Sequence, residues 1–390
     1  MVAAVVALVY AALIVPRLGA VNDFAHIGHK YLTKSTTSSV IKPSLGSQSK
    51  IGFDGQFYYF IALDPDHARD YVDGPAYRYS RIGYPMLARA LSGGNSAAIP
   101  YLMIFINLAA VIAGTLAVAI WLKRRSASPW LALLYGFFPG MIFSVFRDLA
   151  EPLGFALAAW GMVVFHRRSW RRLLASAALF AYALLTRETV ALFPAVLSLS
   201  LIFDGSTITN WASRVRESLL RAAVFSVVAF GPMFAWRYSL NFWIAGASGV
   251  SGDSSEGARR DFIPLHGILE RWPWTRPELL VLLAVVVPGV VSAIVTLSVL
   301  IRKRTAEVWL LALSVAVFII FVPTSMDVDY GGAGRAAIAV VLAALIALPR
   351  CEEVFGAESR TIGLWLVLWS LPTYILASAL LAGPGPALLQ

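Results

Sequence analysis

The sequence predicts an all-α, polytopic integral membrane protein, and three observations carry that prediction. Of the 390 residues, 58% are hydrophobic and the mean hydropathy is +0.72, beyond the roughly half-apolar composition of soluble domains. Apolar stretches of about 20 residues, enough for a helix to cross a hydrocarbon core of about 30 Å, recur along the chain. Lysines and arginines cluster at the ends of alternate stretches, and most carboxylates fall between them. A single domain, 1–390, follows, because almost every residue belongs to a span or to a short connection.

Val2–Leu18 is apolar, lacks a preceding basic residue and has no small-x-small site after it, so it reads as an uncleaved first span rather than a signal peptide. A polar segment, 21–97, forms the first long loop. Within it Leu32–Lys50 is rich in Ser, Thr and Lys, a composition expected of flexible chain. Gln56–Leu63 and Tyr84–Leu91 are expected as helices lying on the membrane interface. Ala98–Leu122 is the second span and stops at Lys123-Arg124-Arg125. Pro129–Phe146 and Leu149–Phe165 are separated only by Arg147-Asp148. Leu173–Leu185 and Val190–Phe203 are separated by a turn centred on Arg187-Glu188. Leu219–Ala245, Leu279–Ile301, Val308–Val322, Ala336–Leu348 and Ile362–Leu381 complete a set of about eleven spans. Further loops lie at 246–277 and 324–334.

With the N-terminus in the cytoplasm, the basic clusters at Lys123, Arg167, Arg214/Arg216 and Arg302 all fall inside, as the positive-inside rule requires. The long loops and the two charged turns then face the exoplasmic side of a membrane, expected to be a bacterial plasma membrane. The net charge of +10 sits beside spans, so anionic membrane lipid is the expected partner and nucleic acid is not. Cys351 is the single cysteine, which excludes an internal disulfide and a Cys-x-x-Cys metal site.

Charged turns after only a few helical turns are costly at membrane depth unless they face a cavity or a partner. The richest segment on that side is Phe53-Asp54-Gly55-Gln56-Phe57-Tyr58-Tyr59. Asp54 reads as the N-cap of the following helix or as a functional carboxylate. Asp23, His26 and His29 recur every three residues and would share one face of a helix. A divalent metal there is possible but not favoured, and no cofactor is assigned. Arg78 and Arg81 would grip a phosphate or pair with Asp70 and Asp73. Asp327, Asp329, Tyr330 and Arg335 form another exoplasmic mouth, read as solvated loop charges, and Arg259-Arg260-Asp261 reads as a loop face. Gly331-Gly332-x-Gly334 is too short for a nucleotide-binding fold.

The Asp54 segment continues through Phe60-Ile61-Ala62 to Leu63-Asp64-Pro65, and later come Tyr77-Arg78-Tyr79-Ser80-Arg81-Ile82-Gly83-Tyr84-Pro85. This arrangement resembles the polytopic glycosyltransferases of the GT-C superfamily, closest in style to PIG-V-like mannosyltransferases. Glu151-Pro152-Leu153 and Leu185-Thr186-Arg187-Glu188-Thr189 resemble a helix start and a turn found in such enzymes. Asp23-x-x-His26-x-Gly28 faintly resembles the first-loop motif of protein O-mannosyltransferases, which makes Asp23 the second candidate base. The resemblance implies an inverting transfer of a sugar, mannose or arabinose, from a polyprenyl-phosphate donor to a glycan or glycolipid acceptor. A carboxylate, Asp54, would take the acceptor proton. Arg187, Arg147, Arg78 and Arg81 would bind the donor phosphate. Gln56, Tyr58, Tyr59, Asp148, Glu151, Glu188 and His26 would position the sugar or acceptor. The rival readings are a transporter or lipid flippase, and a non-catalytic scaffold.

Overall fold

In the computed structural model, described residues are 1–31, 52–202, 211–245, 287–321 and 330–356, with Pro273 on its own. The expected span Ile362–Leu381, the segment Leu32–Lys50, the Arg259–Asp261 face and the Asp327 and Asp329 carboxylates lie outside them. Regular structure among the described residues is helical, apart from one isolated bridge between Ile27 and Gly52.

Helix α1 (Val2–Ile14) continues as a 3-10 turn to Ala20. After the short α2 (Asn22–Ala25) come α3 (Gly55–Leu63), α4 (Pro75–Tyr79) and α5 (Gly83–Ser92). Helix α6 (Ile99–Lys123) has Pro100 in its first turn, where a missing N–H costs nothing, and it stops where the basic run begins. Among the described residues, three helices are long and apolar enough to cross a membrane: Val2–Ala20, Ser96–Lys123 and Val215–Ile244. The third lies within a 35-residue helix, Trp211–Ala245. Its Val227, Phe234 and Phe242 are 69%, 61% and 67% exposed, an apolar surface suited to lipid rather than water.

Two expectations are corrected here. Pro129–Phe146 is not one helix. It divides into a 3-10 turn (Pro129–Ala132), α7 (Leu133–Gly136) and α8 (Pro139–Val145). Pro139 forces Phe138 into extended backbone at ψ 130°, which ends helical geometry before it. The helix expected on the interface at Gln56–Leu63 is instead buried along its whole length, from Gly55 to Leu63. Its aromatic content suits a core: Tyr58 packs edge-on to Tyr84, and Phe60 edge-on to Tyr71.

Helices α9 (Glu151–Val164), α10 (Trp170–Thr186) and α11 (Leu192–Ile202) follow, then α12 (Trp211–Ala245), α13 (Val287–Arg302), α14 (Ala306–Phe321) and α15 (Tyr330–Phe355). Helix α15 begins at Tyr330, so the last part of the expected 324–334 loop is helical. Buried polar groups tie the bundle together. Trp121 Nε1 donates to the Ile346 carbonyl (3.0 Å), Trp160 Nε1 to Ala113 (3.0 Å) and Tyr10 Oη to Gly136 (2.8 Å).

Charges gather at the two ends of the bundle. At one end Arg125 faces Glu307 (3.6 Å), Lys303 faces Glu353 (3.1 Å), and Arg124 and Arg172 donate to the last carbonyls of α9. The other end collects the candidate site. Helix α15 reaches that end by close backbone contact: a Cβ on Gly140 would collide with the Gly334 carbonyl oxygen. Gly140→Ala should therefore lower stability by about 1–3 kcal/mol, the usual cost of overpacking. Thermal unfolding in detergent measures it, and an unchanged midpoint would disprove the contact.

Candidate active site

The site grows from the N-terminus of α3. A Cβ on Gly55 would overlap the Arg147 carbonyl oxygen and approach Asp148 Cβ to 3.3 Å, so only glycine lets α3 rest on the Arg147-Asp148 turn. Gln56 Oε1 accepts from the Gly28 N–H at 2.9 Å, which pins the end of the first span to the same helix. Asp54 occupies the N-cap position, yet makes no capping hydrogen bond. Capping is therefore not what its carboxylate does.

Instead the carboxylate joins a line of alternating charges. Arg78 grips Asp73 with Nε and Nη2 (2.6 and 3.2 Å), and its Nη1 lies 2.8 Å from Asp54 Oδ1, without hydrogen-bond alignment. Arg335 Nη2 donates to Asp54 Oδ2 (2.9 Å), while its Nε donates to Glu151 Oε1 (2.7 Å). Arg187 Nη2 lies 3.1 Å from the same Glu151 oxygen. Beside this line, Arg81 makes a two-pronged contact with Glu188 (2.9 and 2.5 Å) and reaches the hydroxyls of Tyr77 (2.5 Å) and Tyr58 (3.4 Å). Arg81, Glu151, Arg187 and Arg335 are all buried. A lone charge at such depth would be strongly disfavoured; mutual pairing is what makes the set tolerable.

Some groups are left over. Arg187 Nε and Nη1 and Glu151 Oε2 are buried without a hydrogen-bond partner. A buried arginine with two idle donors is poised for an anion. Both oxygens of Asp148 are likewise unpartnered, and the residue is 1% exposed. Its backbone is left-handed (φ 48°). Leu149 N–H donates to Ser144 O (2.9 Å) and Asp148 N–H to Val145 O (3.4 Å), the helix-end pattern that usually places glycine where Asp148 stands.

Six expected site residues thus converge: Asp54, Arg78, Arg81, Glu151, Arg187 and Glu188, with Tyr58 against Arg81. Tyr59 is buried beside Phe60, and Gln56 supports the loop. Asp23, His26 and Arg147 lie apart from the network. Asp23, His26 and His29 do not share a helix face, because α2 ends at Ala25 and His26 turns left-handed (φ 46°). Among the described residues no group of three or more His, Cys, Asp or Glu is placed to hold a metal. Of the pairings weighed for these arginines, Arg78 does take Asp73, whereas Asp70 is taken by neither and Arg81 takes Glu188. Arg335, which bridges Asp54 and Glu151, read from sequence as one of several loop charges. The signal that marks it is its position as a lone cation opening a long apolar run.

Burial acts to raise the Asp54 pKa, but Arg78, Arg335 and Arg81 outweigh it and hold the carboxyl well below the usual range. Burial alone pushes Asp148 well above that range. The two act oppositely on stability. The Asp54 contribution is complete above the unfolded value of about 3.9 and is lost as pH falls towards its folded pKa. The Asp148 contribution is complete below about 3.9 and is lost as pH rises through its folded pKa. Thermal midpoints across the acid-to-neutral range should therefore fall less with rising pH in Asp148→Asn than in the wild type. In Asp54→Asn the acid side should flatten instead. Parallel wild-type and variant profiles would refute both assignments.

Comparison with known proteins finds no matching family model, no matching curated protein and no matching solved structure.

Proposed function

We propose that this chain is an integral membrane glycosyltransferase of GT-C type that transfers a sugar, mannose or arabinose, from a polyprenyl-phosphate donor to a glycan or glycolipid. The observation that carries this reading is the buried Arg187 with two idle donors, one carboxylate away from the Asp54–Arg335 pair. A lipid-linked phosphate can reach such a site sideways, and its charge would complete the pairing of Arg187.

In this mechanism the carrier phosphate leaves the anomeric carbon while an acceptor hydroxyl attacks from the opposite face. Asp54 takes the hydroxyl proton. At rest Arg78, Arg335 and Arg81 make it a weak base. A phosphate that draws Arg78 or Arg335 towards itself would raise the basicity of Asp54 as the donor arrives. Glu151 and Glu188 hold Arg187, Arg335 and Arg81 in place. The proposed orientation puts this end on the exoplasmic face of a bacterial plasma membrane, with the basic end inside. A transporter reading draws on the broken segment at Phe137-Phe138, since transporters use interrupted helices. That break carries no charged side chain, so the transferase reading is preferred.

With purified protein, affinity for a polyprenyl-phosphate analogue should fall in Arg187→Ala and also in Arg187→Lys, which keeps charge but loses the planar guanidinium. Equal affinity in all three proteins would make Arg187 structural. Asp54→Asn should bind the analogue yet transfer about 10²–10⁴-fold more slowly. If Asp23→Asn is inactive while Asp54→Asn works, the base is Asp23. For orientation, Cys351 is buried and would resist labelling from either side. Exposed Ser96 and Ser128, at opposite ends of the bundle, are better positions. In a Cys351→Ala background, Ser96→Cys should react with an impermeant thiol reagent in intact cells and Ser128→Cys should not; the reverse would invert the topology.

A further inference from the structure

Arg147, whose carbonyl supports the α3 N-terminus at Gly55, makes no contact with the arginine–carboxylate line, and it is differently provided for. No described residue accepts a hydrogen bond from its guanidinium, and Nε is buried without a partner. No described carboxylate lies within ion-pair distance of it, and Asp23, which acts on its charge from farther away, is exposed. What surrounds Arg147 is aromatic. The guanidinium carbon lies 5.0 Å from the Phe53 ring centre and 5.8 Å from that of Phe143. The His26 ring meets Phe53 edge-on at 5.0 Å, and Phe53 meets Phe143 edge-on at 5.6 Å. Arg17 sits one step away, over the Phe146 ring at 5.2 Å.

We infer that Arg147, Phe53, Phe143 and His26 form a second subsite, which binds a sugar carrying an anionic group, carboxylate or phosphate. Each component has a matching task. Half-buried Phe53 can offer ring surface to the C–H side of a pyranose, with buried Phe143 backing it. A largely desolvated arginine without a counter-ion at contact distance gains most from an anion and little from a neutral hydroxyl. His26 supplies a ring nitrogen for a hydroxyl. Burial and the Arg147 charge lower its pKa to about 4, so it is neutral at pH 7 and does not add a second cation. The Phe53 N–H bonded to the His26 carbonyl (3.1 Å) keeps the two rings together.

Phe53 directly precedes Asp54, so a sugar held there lies next to the proposed base. In that sense the subsite rests on the transferase reading and would be its acceptor side, with Arg187 on the donor side. Its binding chemistry can be tested without any transfer.

The experiment is calorimetric titration of purified full-length protein with glucuronate, glucose 1-phosphate and methyl glucoside. The two anionic sugars should bind and methyl glucoside should not; preference between the anions tells carboxylate from phosphate. Arg147→Gln should weaken anionic binding about tenfold or more, the loss expected for a charge-assisted contact. Asp23→Asn alters an exposed side chain and should tighten it, because it removes a negative charge that acts on Arg147. Binding should persist in Arg187→Ala. Loss in Arg187→Ala with no change in Arg147→Gln would overturn the subsite while leaving the donor site standing. So would equal affinity for methyl glucoside, an unchanged affinity in Asp23→Asn, or no anionic binding at millimolar concentration.

Discussion

Four arginines cannot be taken out of water at one end of a helical bundle unless carboxylates go with them. That constraint shapes the upper part of this molecule. Arg78 and Arg81 share one segment, Arg187 and Arg335 come from distant parts of the chain, and each finds a carboxylate from elsewhere. The Asp54–Arg335 contact joins residues 281 apart, and Arg335–Glu151 joins residues 184 apart. Removing one member leaves its partner charged and buried, which typically costs about 3–5 kcal/mol, so the network also fastens the helices that supply it.

The apolar bundle answers to this network as well as to lipid. Helix α15 must bring Arg335 between Asp54 and Glu151, and the Gly140–Gly334 approach permits it. Helix α3 must place Asp54 at the mouth, and Gly55 allows it to rest on the Arg147-Asp148 turn. That turn accepts two penalties at Asp148: a left-handed backbone and an unpaired buried carboxyl. Costs of this kind collect where a structure is held for chemistry rather than for stability alone. Neighbouring Arg147 has no described carboxylate at contact distance, and its Nε is buried without a partner. Buried polar atoms of Arg187, Glu151, Asp148 and Arg147 thus lack hydrogen-bond partners.

How much of this could be read beforehand depended on the range of each interaction. Helix positions were legible because apolar run length and flanking charge are local properties. Val2–Ala20 and Ser96–Lys123 match their expected spans closely. Asp54, Arg78, Arg81, Glu151, Arg187 and Glu188 were legible as charges that would gather at one end because each stands beside an apolar run. The burial of α3 was not, since an aromatic-rich helix looks the same on an interface as in a core. Nor was the break at Phe138, where a local proline preference overrides a hydropathy pattern that runs straight through it.

By itself the sequence determined the helical class, the partition of charge to two ends and the set of residues gathered at one of them. Those follow from composition and from the cost of charge in hydrocarbon, which act on each segment alone. Which arginine meets which carboxylate was decided only by tertiary structure. Arg335, marked in the sequence only as a lone cation opening an apolar run, met its two carboxylates only once α15 packed on α8, and Arg147 resembled the other site arginines until the fold turned it towards Phe53 and Phe143. The physical reason is that pairing depends on distances of about 3 Å between groups far apart in the chain, and only the packed bundle fixes those distances.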